Sequence, residues 1–95
     1  MKKQSRTKST RLSQKLKQIR VGLGLSQSEI LDRMGFGERL FRSNISQYER
    51  GARVPSPVVL LEYSRLARID LAILIDDALE LPERFRTRGR SSSRK

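Results

Sequence analysis

Few stretches leave a chain as little local freedom as Leu25-Ser26-Gln27-Ser28-Glu29-Ile30. Ser26 can cap a helix, and Glu29 can reach back to the amide of the cap residue, which completes a capping box. Leu25 before the cap and Ile30 after it are spaced for a hydrophobic staple. Ile30, Leu31 and Met34 give the helix an apolar face, and Gly35 can end it in a left-handed turn. The stretch thus specifies where a helix starts, where it stops and which side it buries.

A second segment completes a pair. Phe41, Ile45 and Tyr48 recur at i, i+4, i+7, the spacing of a short helix with one apolar row, and Gly51 can stop it. Between those positions stand Arg42, Ser43, Asn44, Ser46 and Gln47. Such side chains donate to base edges, and most also accept from them. Two short helices joined by a turn, the second polar on its outer face, make a helix-turn-helix.

The remaining chain reads as helices around this pair. Ser9 or Thr10 can cap a first helix with Leu12, Leu16 and Ile19 inward and Lys15, Lys17, Gln18 and Arg20 on other faces. Gly22 and Gly24 end it, and Leu23 and Leu25 plug the turn. Ser56, with Pro57 at the first helical position, opens a fourth helix whose inner face is Leu60, Tyr63, Leu66 and Ala67, extended by Val59. Asp70 can cap a short fifth helix from Leu71 to about Asp76. Ile73, Leu74 and Ile75 cannot all face one side of it. Some must pack against the Leu79 and Leu81 segment or bury in a partner. Pro82 is expected to end the ordered part. Residues 1–9 read as a flexible basic arm, 10–81 as the domain and 82–95 as a disordered basic tail.

Composition narrows the function. A chain of 95 residues makes one small domain. A fold of this size buries only ~60% of the unfolded surface, so a second subunit would help. Without cysteine or histidine, thiol chemistry is absent and metal sites and acid–base catalysis lose their commonest residues. Asp76-Asp77 has no companion at metal-ligand spacing and reads as a solvated helix end. Gly22-x-Gly24 lies between helices, not after a strand, so it is no phosphate cradle. No apolar run is long enough to span a membrane, and the basic N-terminus is not followed by a signal-like segment. No cofactor is implied, and an enzyme is not expected.

Charge points to a polyanion. The net charge is +11: +5 in residues 1–11, +5 in residues 82–95 and +1 between them. Residues 12–53 sum to +4 and residues 54–81 to −3, so the half carrying the helix pair is basic. Basic tails that merely aid solubility are the plainer alternative.

Gly24-Leu25-Ser26-Gln27 with Glu29, then Ile45-Ser46, Glu49, Gly51 and Pro55, resembles the phage-repressor/Cro type of helix-turn-helix, the xenobiotic-response-element family. The resemblance covers roughly residues 12–77. It implies an all-α, five-helix, lambda-repressor-like domain. It also implies that Gln27 sets the first helix of the pair against the DNA backbone and that Arg53 touches backbone or minor groove. Arg20 and Glu49 become a structural pair. One departure stands out: the segment between Met34 and Ile45 is about four residues longer than the usual tight turn, counted against the family pattern.

The DNA-contacting candidates are therefore Gln27, Arg39, Arg42, Ser43, Asn44, Ser46, Gln47 and Arg53. Arg suits guanine, and Asn or Gln suits adenine. For Arg39 only its charge speaks, and Arg42 and Ser43 could equally touch phosphate. The expected function is sequence-specific binding of double-stranded DNA by a cytoplasmic, nucleoid-associated transcriptional repressor. A homodimer on a palindromic operator is expected. An antitoxin that also binds a toxin partner is the main rival. An RNA-binding or nucleoid-type protein dominated by its tails is another, though aromatics for base stacking are few.

Overall fold

The structure, a computed structural model, describes residues 3–85, with side chains described from residue 11 onward except that of Glu38. Among the described residues five α-helices follow one another: α1 Lys3–Gly22, α2 Gln27–Met34, α3 Arg42–Arg50, α4 Pro57–Ala67 and α5 Leu71–Ile75. Two 3-10 turns, Gly37–Arg39 and Glu83–Phe85, complete the order. α1 packs against α3, α4, α5 and the last 3-10 turn, while α2 packs against α3 and α4. The all-helical lambda-repressor-like arrangement expected from the sequence is present among the described residues.

The capping box forms as its residues dictate. The Glu29 amide donates to Ser26 Oγ at 3.0 Å, and the Ser26 amide donates to Glu29 Oε1 at 2.8 Å. Gly35 closes α2 at φ 73°, a left-handed conformation that a side chain disfavours. Ser56 caps α4 through the Val59 amide, with Pro57 just inside. Leu16, Ile19, Ile30, Ile45, Tyr63 and Leu74 are fully buried at the centre, so most positions read as inward from periodicity are in the core, while Leu12, Leu31 and Leu66 are half-buried at its edge. Leu74 takes the core position in α5, Ile73 is half-buried, and Ile75 stays exposed. Asp70 sits at the α5 cap position, yet its side chain makes no capping bond.

Four expectations change. α1 starts at Lys3, ahead of Ser9 and Thr10. Residues 3–9 contain neither Gly nor Pro, so nothing in the backbone stops a helix from running through them. The order also continues past Pro82: Leu81 and Phe85 are both buried, and Arg84 donates to the Ala67 carbonyl at the end of α4. Arg84 also stacks on the Phe85 ring, 4.6 Å from its centroid. The rest of the two expected tails, residues 1–2 and 86–95, lies outside the described residues.

The third change is Phe41, expected in the apolar row of α3. It is 61% exposed, and Leu40 is buried instead. The chain enters α3 through extended backbone at Leu40 and Phe41, and side chains alternate sides along such a segment. The fourth is Lys15, expected on an outer face but 4% exposed. Its ammonium donates to the carbonyls of Ile73, Leu79 and Asp76 at 2.7, 2.8 and 3.1 Å. These carbonyls lie at and beyond the end of α5, which is too short to close itself. Burial and the Arg11 guanidinium pull the ammonium below the ordinary lysine range, while Asp77, Asp76 and Glu80 oppose that pull. Among the described residues, no helix is long and apolar enough to cross a membrane.

Candidate nucleic-acid interface

One carboxylate fixes how the helix pair sits on the rest of the domain. Glu49, near the end of α3, accepts from Arg20 Nε at 2.6 Å and from Arg20 Nη2 at 3.0 Å. This two-pronged geometry is the strong form of the arginine–carboxylate pair. The side chains are 15% and 4% exposed for Arg20 and Glu49. Arg20 Nη1 donates to the Leu25 carbonyl at 3.0 Å, which ties the turn between α1 and α2 to the same guanidinium. The hydrogen bonds it donates to Glu49 hold the Arg20 guanidinium above its ordinary range, against the opposing pull of burial.

Gln27 belongs to this network. Its Nε2 donates to Glu49 Oε1 at 3.2 Å, and the side chain is half-buried. The first turn of α2 is thereby held against α3. One ion pair and one amide join three helices, and they set the angle at which the second helix of the pair projects.

α3 presents the polar side chains. Ser43, Gln47 and Arg50 repeat at i, i+4, i+7, on the side opposite the buried Ile45 and Tyr48. Arg42 and Ser43 are exposed, while Ser46 and Gln47 are half-buried. Arg50 Nε donates to Ser46 Oγ at 3.4 Å, a weak bond one turn apart. Arg50 stands outside the candidates drawn from the sequence, yet its spacing of three residues from Gln47 and seven from Ser43 is the signal that places it on their face. Asn44 works locally: its Oδ1 accepts from the Phe41 amide at 2.9 Å and so caps the start of α3. A bidentate grip on adenine needs both ends of an amide, and one end of this amide is already engaged.

The long turn explains how α3 is entered. After Gly35, the 3-10 turn at Gly37–Arg39 takes up the extra length, and Leu40 then plugs the core. The second helix of the pair therefore starts at Arg42. Arg39, Asn44 and Arg53 line one open depression of about 410 Å³, with Tyr48 and Ser56 on its wall. Arg39 and Arg53 are exposed there. Burial pushes the Tyr48 phenol up, and the nearby Arg53 charge works against that shift. The sequence-derived set thus divides into a row on α3, a basic pair beside it, and Gln27 in the ion-pair network.

A family model described as helix-turn-helix matches residues 16–74, from the middle of α1 into α5. The chain belongs to the helix-turn-helix family. It is a DNA-binding regulator of the phage-repressor/Cro type, and its partner is double-stranded DNA. In a helix-turn-helix protein the second helix of the pair lies in the major groove, with its N-terminal residues toward base edges. Here that helix is α3. No curated protein and no solved structure matches the chain.

Proposed function

We propose that the protein is a sequence-specific transcriptional repressor that reads duplex DNA with α3. The observation that carries this reading is the row Ser43, Gln47 and Arg50, projected from a helix whose angle is locked by Arg20, Glu49 and Gln27. Ser46 and Gln47 read base edges, with Arg42 and Ser43 at the helix start. Gln27, Arg39 and Arg53 hold phosphates, because a charge or amide there positions the domain without carrying base information. The chain acts in the cytoplasm on the nucleoid, as a homodimer on a palindromic operator with half-sites one helical turn apart. Its work is binding and not catalysis.

Selection of bound sequences from a random duplex pool, at stated salt, tests this reading. A single enriched palindrome is expected. Uniform recovery of all sequences would overturn it in favour of tail-driven binding, which carries no sequence information.

A second reading has its own observation. Ile75 is 59% exposed and stands with Val54, Pro57 and Leu12 around an apolar groove of about 370 Å³. An antitoxin that binds its own promoter and a toxin would use such a face. Stoichiometric co-purification of a small toxic partner, lost in Ile75→Asp, would favour it.

A further inference from the structure

Phe41 is an apolar side chain where the surrounding chemistry is polar. It is 61% exposed, between exposed Arg39 on one side and exposed Arg42 and Ser43 on the other. It holds the N-cap position of α3, although a phenyl ring has no atom with which to cap a helix. That task falls to Asn44, whose Oδ1 takes the Phe41 amide at 2.9 Å. The backbone that carries the ring is therefore pinned, while the ring itself belongs to no part of the core. Its neighbour Leu40 fills the core position at this point.

We infer that Phe41 is a specificity residue that reads the 5-methyl group of a thymine in the major groove. The inference rests on α3 being the reading helix, as proposed above. The N-terminal end of such a helix lies nearest the base edges. Phenylalanine can make no hydrogen bond to a base, so a donor or acceptor pattern cannot be what it recognises. The thymine methyl is the apolar feature that distinguishes one base edge from the others in that groove, and Phe is among the side chains suited to it. Ring and methyl together remove apolar surface from water that each exposes alone.

The test uses the full chain and the duplex enriched from the random pool. Each thymine in turn is replaced by deoxyuridine, which lacks only the 5-methyl group. The parent is expected to lose about fourfold in affinity at one position per half-site, the weight of one buried methyl group. Phe41→Ala should bind the thymine duplex more weakly than the parent and should not distinguish thymine from deoxyuridine at that position. Phe41→Leu should keep part of the discrimination. Because the ring is exposed, these variants should melt like the parent. An operator indifferent to every deoxyuridine replacement overturns the inference and leaves the proposed function standing. So does a Phe41→Ala variant that keeps the full discrimination. A Phe41→Ala variant that weakens thymine and deoxyuridine duplexes alike, while the parent still discriminates, also overturns it, and points to a ring wedged between base steps. A protein that enriches no duplex would overturn the proposed function itself, and this inference with it.

Discussion

Gly22 and Phe85 meet without room for one more carbon: a Cβ added to Gly22 would stand 2.7 Å from Phe85 Cδ1. The last residue of α1 is thus the seat of the C-terminal ring, which is itself buried. Gly22→Ala should push the ring out of its seat and destabilise the fold by ~1–3 kcal/mol, the usual range for overpacking. Phe85→Ala should cost more, ~3–5 kcal/mol as for other buried aromatic truncations. Combined, the two should cost less than their sum, because the second change removes the clash made by the first. Denaturant unfolding of the four proteins checks this.

Arg20→Ala should lower the melting temperature and not only the affinity for DNA. It would leave Glu49, 4% exposed, without the guanidinium that neutralises it. Breaking a fully buried pair costs ~3–5 kcal/mol, and the partial exposure of Arg20 argues for the lower end. Arg20→Lys should recover only part of the loss, since an ammonium cannot reproduce the fork. Thermal melts of both variants without DNA decide the point; a parent-like melt for Arg20→Ala would remove the pair from the stability of the fold.

Tyr63 should shape the alkaline limb of stability. Its ring is fully buried, and its hydroxyl has no hydrogen-bond partner among the described residues. Burial, with the Glu49 charge nearby, pushes the phenol up from its ordinary value. A raised folded-state value means a contribution that is complete below the ordinary tyrosine pKa of about 10 and is lost as pH rises beyond it. Lys15, pulled down, works in the opposite sense and at lower pH, its contribution growing until the ordinary lysine value of about 10.4 is passed, so the comparison must be between variant and parent. Tyr63→Phe should show a flatter fall in unfolding free energy above about pH 10. At neutral pH it should cost little, since no hydrogen bond is lost.

Gln47→Ala and Gln27→Ala should fail differently. Loss of a base contact at Gln47 should weaken binding by ~1–3 kcal/mol, concentrated on one base pair per half-site. Loss of Gln27 should weaken all sequences about equally, because a phosphate contact carries no base information. A panel of single-base operator changes separates the two patterns. If Gln47→Ala shifts every sequence alike, the reading belongs to Arg39, Arg42, Ser43 or Arg50.

Where the chain is cut should matter. Residues 86–95 hold five basic and no acidic side chains. A chain shortened after Phe85 should keep its preferred site and fold while binding with a shallower salt dependence, at ~0.9 in the log–log slope per phosphate released. A chain shortened after Pro82 should in addition lose stability, because it lacks Phe85 and the Arg84 bond to Ala67. Salt titrations and melts of the two lengths distinguish these effects.

Local rules were enough for much of this molecule. Ser26 and Glu29 set the start of α2, Gly35 and Gly51 set two helix ends, and Ser56 with Pro57 set the start of α4. The rows Leu16/Ile19 and Leu60/Tyr63/Ala67 marked the core. Those signals act within one or two turns, so they survive reading a sequence alone. What the sequence left open was decided across the fold. Whether Leu40 or Phe41 enters the core depended on how the lengthened turn meets α3. Lys15 reads as a surface residue because its three carbonyl partners lie about sixty residues away, at the end of α5. Phe85 lies in a strongly basic segment, and its burial is set by the seat Gly22 provides, which no local pattern announces. Contacts between residues far apart in the chain exist only once the helices have met, and those contacts set the angle of α3.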